Sequence, residues 1–150
     1  MTKILFVCHG NICRSPMAEF VMKDMVRKAG MEHRIQVDSK ACRRDEIGSD
    51  THYGTKNKLR EVGIPFTSRK ALQITLSDYE NYDLIIGMDG ENLRDLHRLT
   101  QGDPKEKVHL LLDFAGEHRD VADPWYTDDF DATYRDVRKG CEALLKKLNA

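Results

Sequence analysis

Short apolar runs alternate with helical patterns along this chain, and this alternation restricts its fold more than any other feature. Two of the runs, Ile4-Leu5-Phe6-Val7 and Leu84-Ile85-Ile86, are continuously apolar. Strands with this composition are usually buried on both faces. We predict four strands, at residues 3–7, 35–38, 82–87 and 108–112. Because strands that alternate with helices form a parallel sheet covered on both sides, the pattern indicates an α/β fold.

The helical segments are recognisable by apolar positions three or four residues apart. Ser15 and Pro16 suit the N-cap and the first position of the first helix, and Gly30 suits its end. Three further helices are predicted from the same periodicity, at residues 52–62, 90–99 and 130–148. Two polar segments are predicted as surface loops, at residues 40–51 and 117–129.

We expect the 150 residues to form a single domain, residues 1–150. The 24 Lys and Arg residues balance 25 Asp and Glu residues, which argues against a dedicated nucleic-acid-binding protein. No apolar run approaches the roughly 18–20 residues that cross a bilayer, and the apolar start is too short for a secretory signal. We therefore expect a cytoplasmic protein with no membrane and no nucleic-acid partner, and export without a leader stays open.

Four cysteines, at positions 8, 13, 42 and 141, need an explanation. A disulfide framework is typical of short secreted chains, so reduced thiols are the better expectation here. The chain has no Cys-x-x-Cys pair, and its Cys and His spacings match no zinc site. We expect no metal and no cofactor, and at least one cysteine that is present for its chemistry.

The segment between the first strand and the first helix is the most informative part of the chain, and it reads Cys8-His9-Gly10-Asn11-Ile12-Cys13-Arg14-Ser15. In open α/β sheets, ligands bind at the carboxyl ends of the strands, next to such a loop. A loop that enters a helix N-terminus points several backbone N–H groups into one concavity, which binds an anion. Gly10 and Asn11 suit the loop because both tolerate positive φ angles.

Two side chains would turn this anion cradle into an active site. Arg14 can hold two phosphate oxygens with its planar guanidinium group. The backbone N–H groups, the helix dipole and this guanidinium favour the thiolate form of Cys8, which is then placed to attack phosphorus. Ser15 can donate a hydrogen bond to the thiolate. A bare Cys-x5-Arg spacing is common by chance, and the strand before it and the Ser-Pro helix start after it make it informative.

Three motifs together resemble one known family. They are Cys-x-Gly-Asn-x-Cys-Arg-Ser-Pro from Cys8, Met88-Asp89-x-x-Asn92-Leu93 after the third strand, and Asp123-Pro124-Trp125-Tyr126 before the last helix. The pattern resembles the low-molecular-weight protein tyrosine phosphatases over almost the whole chain. This resemblance implies a flavodoxin-like three-layer sandwich, with four parallel strands in the order 2-1-3-4.

The resemblance also implies an activity and assigns roles to residues. It implies an enzyme that hydrolyses phosphotyrosine and aryl phosphate monoesters through a phosphocysteine intermediate. Cys8 would be the nucleophile, Arg14 the phosphate clamp and Asp123 the general acid and base. The further substrate-binding residues implied by the pattern are His9, Gly10, Asn11, Ile12, Cys13, Ser15, Trp125 and Tyr126.

Supporting residues and partners follow from the same resemblance. Ser39 would hydrogen-bond Asn11, and Asp89 would support the site. Cys13 could trap oxidised Cys8 as a disulfide, with a packing role as the alternative. The expected substrate is a phosphotyrosine protein, the expected product and inhibitor is inorganic phosphate, and the expected state is a monomer.

The chain departs from the family pattern in two places. Many members carry an aromatic residue in the loop after the second strand, and an ungapped alignment places Asp45 there. One wall of the slot should therefore be polar, which predicts a weaker hold on the phenyl ring and a preference for basic flanking residues. The family's His before the third strand is absent, with Ser68-Arg69 nearby, so its contact with Asp89 would be missing.

Two other functions are compatible with the same cradle. An arsenate reductase would need further cysteines near the third strand, and none lies between Cys42 and Cys141. A catalytically silent anion-binding module would not need to retain Cys8, Arg14 and Asp123 together. The phosphatase is the interpretation that accounts for all of these residues.

Overall fold

The computed structural model describes residues 1–149, and its centre is a four-stranded parallel sheet in the order β2-β1-β3-β4. The predicted α/β fold and strand order are confirmed. The strands are β1 Thr2–Cys8, β2 Ile35–Ala41, β3 Leu84–Gly87 and β4 Val108–Leu110. The fourth strand ends before residue 112, because Leu111–Ala115 form a 3-10 helix whose leucines are buried beneath the last helix.

Helices cover both faces of this sheet within the described residues. They are α1 Arg14–Lys28, α2 Tyr53–Glu61, α3 Leu76–Asn81, α4 Gly90–Thr100, α5 Pro124–Thr127 and α6 Phe130–Leu148. The four predicted helices are present as α1, α2, α4 and α6, whereas α3 and α5 were not predicted. Across residues 1–149, no helix is long and apolar enough to span a bilayer.

Strand β1 connects the two cores of the molecule because its side chains alternate between the faces of the sheet. Ile4 and Phe6 pack in the core that includes α1 and α6, whereas Leu5 and Val7 pack in the core that includes α4. All four side chains are fully buried. This packing on both faces fixes the carboxyl end of β1, where Cys8 begins the loop.

The start of α1 differs from the prediction. Ser15 is not the N-cap, because the helix begins at Arg14 and Cys13 precedes it without a side-chain cap. The Ser15 hydroxyl is instead turned toward the sulfur of Cys8, 3.1 Å away. At the other end, Gly30 follows the helix with a φ of +69°, as predicted for a glycine stop.

A glycine in α6 is required by the packing of this helix on the 3-10 helix. A Cβ atom built on Gly140 would lie 2.4 Å from Cγ of Leu111. Alanine should favour the helix by about 1 kcal/mol, but we expect the clash to outweigh this gain. Gly140→Ala should lower the free energy of unfolding by about 1–3 kcal/mol, measured by urea denaturation.

The matched control is Gly90→Ala, also at a helical glycine. A Cβ atom at Gly90 would make only an ordinary contact, 3.5 Å from an Arg94 nitrogen. We expect this variant to unfold at close to the wild-type urea concentration. A Gly140→Ala protein as stable as the control would contradict the predicted clash.

Candidate active site

The loop between β1 and α1 lies at the carboxyl edge of the sheet. Strand β1 lies between β2 and β3, and the connection after β1 and the connection after β3 run toward opposite edges of the sheet. Such a switch point is where open α/β sheets bind ligands. Residues 9–13 form the loop, and the N-terminus of α1 follows it directly. The fold therefore places an anion-binding helix end at the expected ligand edge.

A cavity of about 220 Å³ opens above this loop. The predicted site residues that line it are Cys8, His9, Gly10, Ile12, Cys13, Arg14, Asp89, Asp123, Trp125 and Tyr126. Asn11, Ser15 and Ser39 do not line it, and they contact one another instead. A larger groove, about 740 Å³, lies between α1 and α6 and holds none of these residues.

Cys8 is the last residue of β1 and is almost fully buried at the base of the cavity. Its sulfur lies 3.1 Å from Ser15 Oγ and accepts the backbone N–H of Ser15 at 3.4 Å. Hydrogen bonds of this kind, next to a helix N-terminus, favour negative charge on sulfur. The arrangement can therefore support a thiolate in the cavity.

Asn11 is fully buried and holds the shape of the loop. Its φ of +59° lies in the left-handed region, which asparagine tolerates better than most residues. Its amide nitrogen donates to Ser15 Oγ at 2.8 Å and to Ser39 Oγ at 3.0 Å. The hydrogen bond between Asn11 and Ser39 that the resemblance implies is therefore present. Ser39 Oγ in turn donates to a Glu19 carboxylate oxygen at 2.6 Å.

Arg14 has a buried guanidinium group at the side of the cavity. Its Nη2 lies 2.8 Å from Asp89 Oδ2 and 3.3 Å from Asp123 Oδ2, and its Nη1 donates to the Val121 carbonyl at 3.2 Å. Burial alone would lower the pKa of Arg14, but the negative charges of Cys8, Asp123 and Asp89 raise it on balance. The guanidinium therefore stays charged and pairs with two carboxylates in the cavity that Cys8 also lines.

Asp123 lies at the start of the short helix α5, inside the segment predicted as a loop. Its Oδ1 accepts the backbone N–H of Trp125 at 3.0 Å, while its Oδ2 faces Arg14. Pro124 restricts the backbone at Asp123 and begins the helix. Trp125 and Tyr126 are 65% and 85% exposed, so they form an open rim of the cavity.

The cavity mouth also carries three acidic residues, Asp45, Glu46 and Glu91. His9 bridges two of its carboxylates, with Nε2 2.6 Å from Asp45 and Nδ1 3.3 Å from Glu91. The hydrogen bond to Asp45, supported by the one to Glu91, raises the pKa of His9 against the effect of burial. Glu46 also lines the mouth and packs closely against Gly10, where a Cβ atom would lie 3.2 Å from its Cγ. The predicted peptide preference stays a prediction.

The four cysteines are free thiols. Cys13 lines the cavity, and burial raises its thiol pKa to about 12. Burial also raises the pKa of Cys42 and Cys141, which do not line the cavity. A disulfide between Cys8 and Cys13 stays a prediction. Over residues 1–149, no three or more His, Cys, Asp or Glu side chains are grouped to hold a metal ion.

Sequence reasoning did not assign a role to one side chain that contacts the loop. Arg69, from the segment between α2 and α3, donates to the backbone carbonyl of Asn11 at 2.9 Å and also to its Oδ1. The only sequence signal for this contact is that Ser68-Arg69 lies near the position where the family has a His. Asp89, whose His partner in the family is absent here, pairs with Arg14 instead.

Comparison with known proteins identifies the family of this chain. The family model for low molecular weight phosphotyrosine protein phosphatases matches residues 3–150. The chain belongs to this family. The resemblance inferred from the motifs is confirmed, and so is the prediction of an enzyme, because full-length relatives are named protein-tyrosine phosphatases.

Relatives of this phosphatase match it from end to end. Low molecular weight protein-tyrosine-phosphatase YfkJ of Bacillus subtilis is 39% identical over 150 residues, covering 99% of this chain and 96% of that protein. The human low molecular weight phosphotyrosine protein phosphatase is 38% identical, covering 97% and 95%. The crystal structure of YfkJ has a TM-score of 0.95 at 38% identity, covering 99% and 95%. That of the Streptococcus pyogenes enzyme has 0.89 at 42%, covering 99% and 93%.

Proposed function

We propose that this phosphatase hydrolyses phosphotyrosine in two steps, with Cys8 as the nucleophile, Arg14 as the phosphate clamp and Asp123 as the general acid and base. Family membership supports the substrate class. The observation that carries the residue assignment is that these three side chains line one cavity, where the Arg14 guanidinium contacts the Asp123 carboxylate.

In the first step, the Cys8 sulfur attacks phosphorus, so that an S–P bond forms and the P–O bond to tyrosine breaks. Arg14 and the backbone N–H groups of the loop hold the other phosphate oxygens and stabilise their charge. The planar fork of Arg14 suits two of these oxygens. Ser15 stabilises the sulfur before the attack and again when it leaves.

Asp123 supplies the proton for the leaving tyrosine oxygen. A phosphate dianion in the cradle would compete for Arg14 and add negative charge nearby, which favours the protonated form of Asp123. In the second step, the Asp123 carboxylate takes a proton from the water that attacks phosphorus. The S–P bond then breaks, the thiolate returns, and inorganic phosphate leaves.

The mouth of the cavity supports a protein substrate with a long phosphorylated side chain. A tyrosine ring carries its phosphate farther from the backbone than serine does, and Trp125 and Tyr126 offer aromatic surface at the rim. Inorganic phosphate would occupy the same cradle and inhibit. We place the enzyme in the cytoplasm as a monomer, and the carboxylates of Asp45, Glu46 and Glu91 favour basic residues beside the phosphotyrosine.

Arsenate reduction is the alternative on the same cradle. It requires a relay of thiols that can reach Cys8, but Cys141 is fully buried in α6 against the Ala18 carbonyl. Cys13 is the other cysteine that lines the cavity, and its pKa is raised by burial. A carboxylate at Asp123 has a clear use in ester hydrolysis, so the geometry favours the phosphatase.

The function is tested with wild type and Asp123→Asn on p-nitrophenyl phosphate, a phosphotyrosine peptide and the matching phosphoserine peptide. Wild type should prefer the phosphotyrosine peptide to the phosphoserine peptide. Asp123→Asn should lower kcat by about 10²- to 10⁴-fold, because the proton donor is lost. The loss should be larger for phosphotyrosine, since tyrosine has a pKa near 10 and p-nitrophenol is a better leaving group.

Asp128→Asn is the matched control, because Asp128 is an exposed carboxylate of the same segment with a φ of +55°. Asparagine also tolerates that backbone conformation, so wild-type kinetics are expected. Failure of wild type to release phosphate from phosphotyrosine, or thiol-dependent arsenate reduction in a parallel assay, would overturn the proposed function.

A further inference from the structure

Arg69 contacts the phosphate-binding loop at Asn11, and it has no role in the proposed reaction. Its Nη1 donates to the backbone carbonyl of Asn11 at 2.9 Å, and its Nη2 donates to Asn11 Oδ1. Its own backbone N–H donates to Asp50 at 3.1 Å, and Asp50 pairs with Lys56 at 2.8 Å. Arg69 is therefore anchored to the segment before α2 through Asp50, and its guanidinium binds one residue of the active-site loop, Asn11.

These contacts determine the orientation of the Asn11 side-chain amide. A guanidinium has only donors, so the amide atom that faces Arg69 must be the oxygen. The amide nitrogen must then face the two serine hydroxyls, at 2.8 Å from Ser15 Oγ and 3.0 Å from Ser39 Oγ. Without Arg69, the two ends of a buried asparagine amide are similar in shape and could exchange places.

The orientation of the amide sets the direction of the next hydrogen bond. Ser15 Oγ accepts from Asn11, and the Cys8 sulfur lies 3.1 Å from the same oxygen. The hydroxyl hydrogen of Ser15 is then free to point at the sulfur, and donation to a thiolate stabilises its charge. We propose that Arg69 is a positioning residue that directs the Ser15 hydroxyl hydrogen at Cys8 by fixing the Asn11 amide.

The charge of Arg69 acts in the same direction as this chain of donors. Both of its side-chain hydrogen bonds go to neutral oxygens of Asn11. Burial lowers the pKa of Arg69, and the charges on Glu19, Cys8 and Asp50 oppose that effect. Arg69→Lys keeps the charge and a hydrogen-bond donor but removes the planar fork that holds both Asn11 oxygens, so it tests the fixed orientation.

The test compares wild type, Arg69→Met and Arg69→Lys, with Arg98→Met as the matched control at an exposed side chain. Cys8 alkylation by iodoacetamide is followed across pH by mass spectrometry of its peptide, which reports the thiolate without needing turnover. The same proteins are assayed for kcat and KM with p-nitrophenyl phosphate. Thermal unfolding shows that each variant is folded.

Arg69→Met should move the midpoint of the alkylation curve up by about one pH unit and lower kcat about tenfold or more. KM should change less, because Arg14 and the loop N–H groups still bind phosphate. Arg69→Lys should lie between Met and wild type in both measurements, and Arg98→Met should match wild type.

An unchanged alkylation midpoint in folded Arg69→Met would overturn the proposal. Full recovery in Arg69→Lys would also overturn it, because one flexible ammonium would then suffice without the rigid fork that fixes both Asn11 oxygens. This variant decides the question if Arg69→Met does not fold. The proposal rests on Cys8 as the nucleophile. The two failures are distinguishable, because a wild type inactive on phosphotyrosine would refute the function, whereas the alkylation midpoint reports only the role of Arg69.

Discussion

Replacing Cys8 with serine should abolish hydrolysis while phosphate binding survives. A serine hydroxyl is not ionised near neutral pH, and the environment of residue 8 stabilises an anion only if one can form. We expect a loss in kcat on the order of 10⁵-fold or more, as for other essential nucleophiles. The Arg14 guanidinium and the loop N–H groups are unchanged, so the affinity for inorganic phosphate, measured by calorimetry, should stay close to wild type.

Cys141→Ser is the matched control for this experiment. Cys141 is fully buried in α6, and its sulfur lies 3.9 Å from the Ala18 carbonyl, which can accept a hydrogen bond from a serine hydroxyl. We expect wild-type kcat from this variant, with a modest loss of thermal stability at most. Turnover by purified Cys8→Ser protein, or an equal loss in Cys141→Ser, would contradict the assignment of Cys8.

The first strand, the loop and the first helix could be predicted because their signals are local. The run Ile4-Leu5-Phe6-Val7 is apolar at every position, as expected for a strand with a core on each face. Asn11 has the predicted positive φ, but the same prediction is wrong for Gly10, whose φ is not positive. Space near Gly10 is limited instead by Glu46, whose Cγ would lie 3.2 Å from an added Cβ atom. The strand order came from the family resemblance, since apolar patterns do not specify which strands are neighbours.

Short apolar runs were the main source of error in the fold. Leu111 and Leu112 were predicted as the end of a strand, but apolar residues indicate only burial and not the type of element. Both leucines are fully buried beneath α6 as part of the 3-10 helix. Helix α3 spans only six residues, too few for a clear apolar period, and its start is marked by a capping box between Thr75 and Asp78. Helix α5 spans only Pro124–Thr127, too short for any periodicity.

The missed contacts of the site share one cause, which is that they arise from tertiary packing. Arg69 is 58 residues away from Asn11 in the chain, and nothing local marks it as a partner of the loop. Glu91 reaches His9 from α4 across 82 residues. Family motifs name residues on the loop and on the Asp123 segment, but they leave out the side chains that this sequence packs around them.

Replacing Arg14 with lysine should be the second most damaging change to the site. Lysine keeps the positive charge, but its ammonium is a point charge that cannot hold two phosphate oxygens in one plane. Guanidinium groups that stabilise phosphoryl transfer contribute about 10³- to 10⁵-fold in kcat, so we expect Arg14→Lys to lower kcat about 10³-fold. The inhibition constant for inorganic phosphate should rise as well. Arg98→Lys, at an exposed guanidinium, is the control.

The Arg14 contacts predict that this loss is coupled to Asp123. Nη1 of Arg14 binds the carbonyl of Val121, two residues before Asp123, and Nη2 faces the Asp123 carboxylate. A lysine at position 14 would loosen the hold on that segment, so the proposed general acid, Asp123, would already be misplaced. Arg14→Lys combined with Asp123→Asn should therefore lose less activity than the product of the two single losses. Strictly multiplicative losses would show that Arg14 acts on phosphate alone and does not position Asp123.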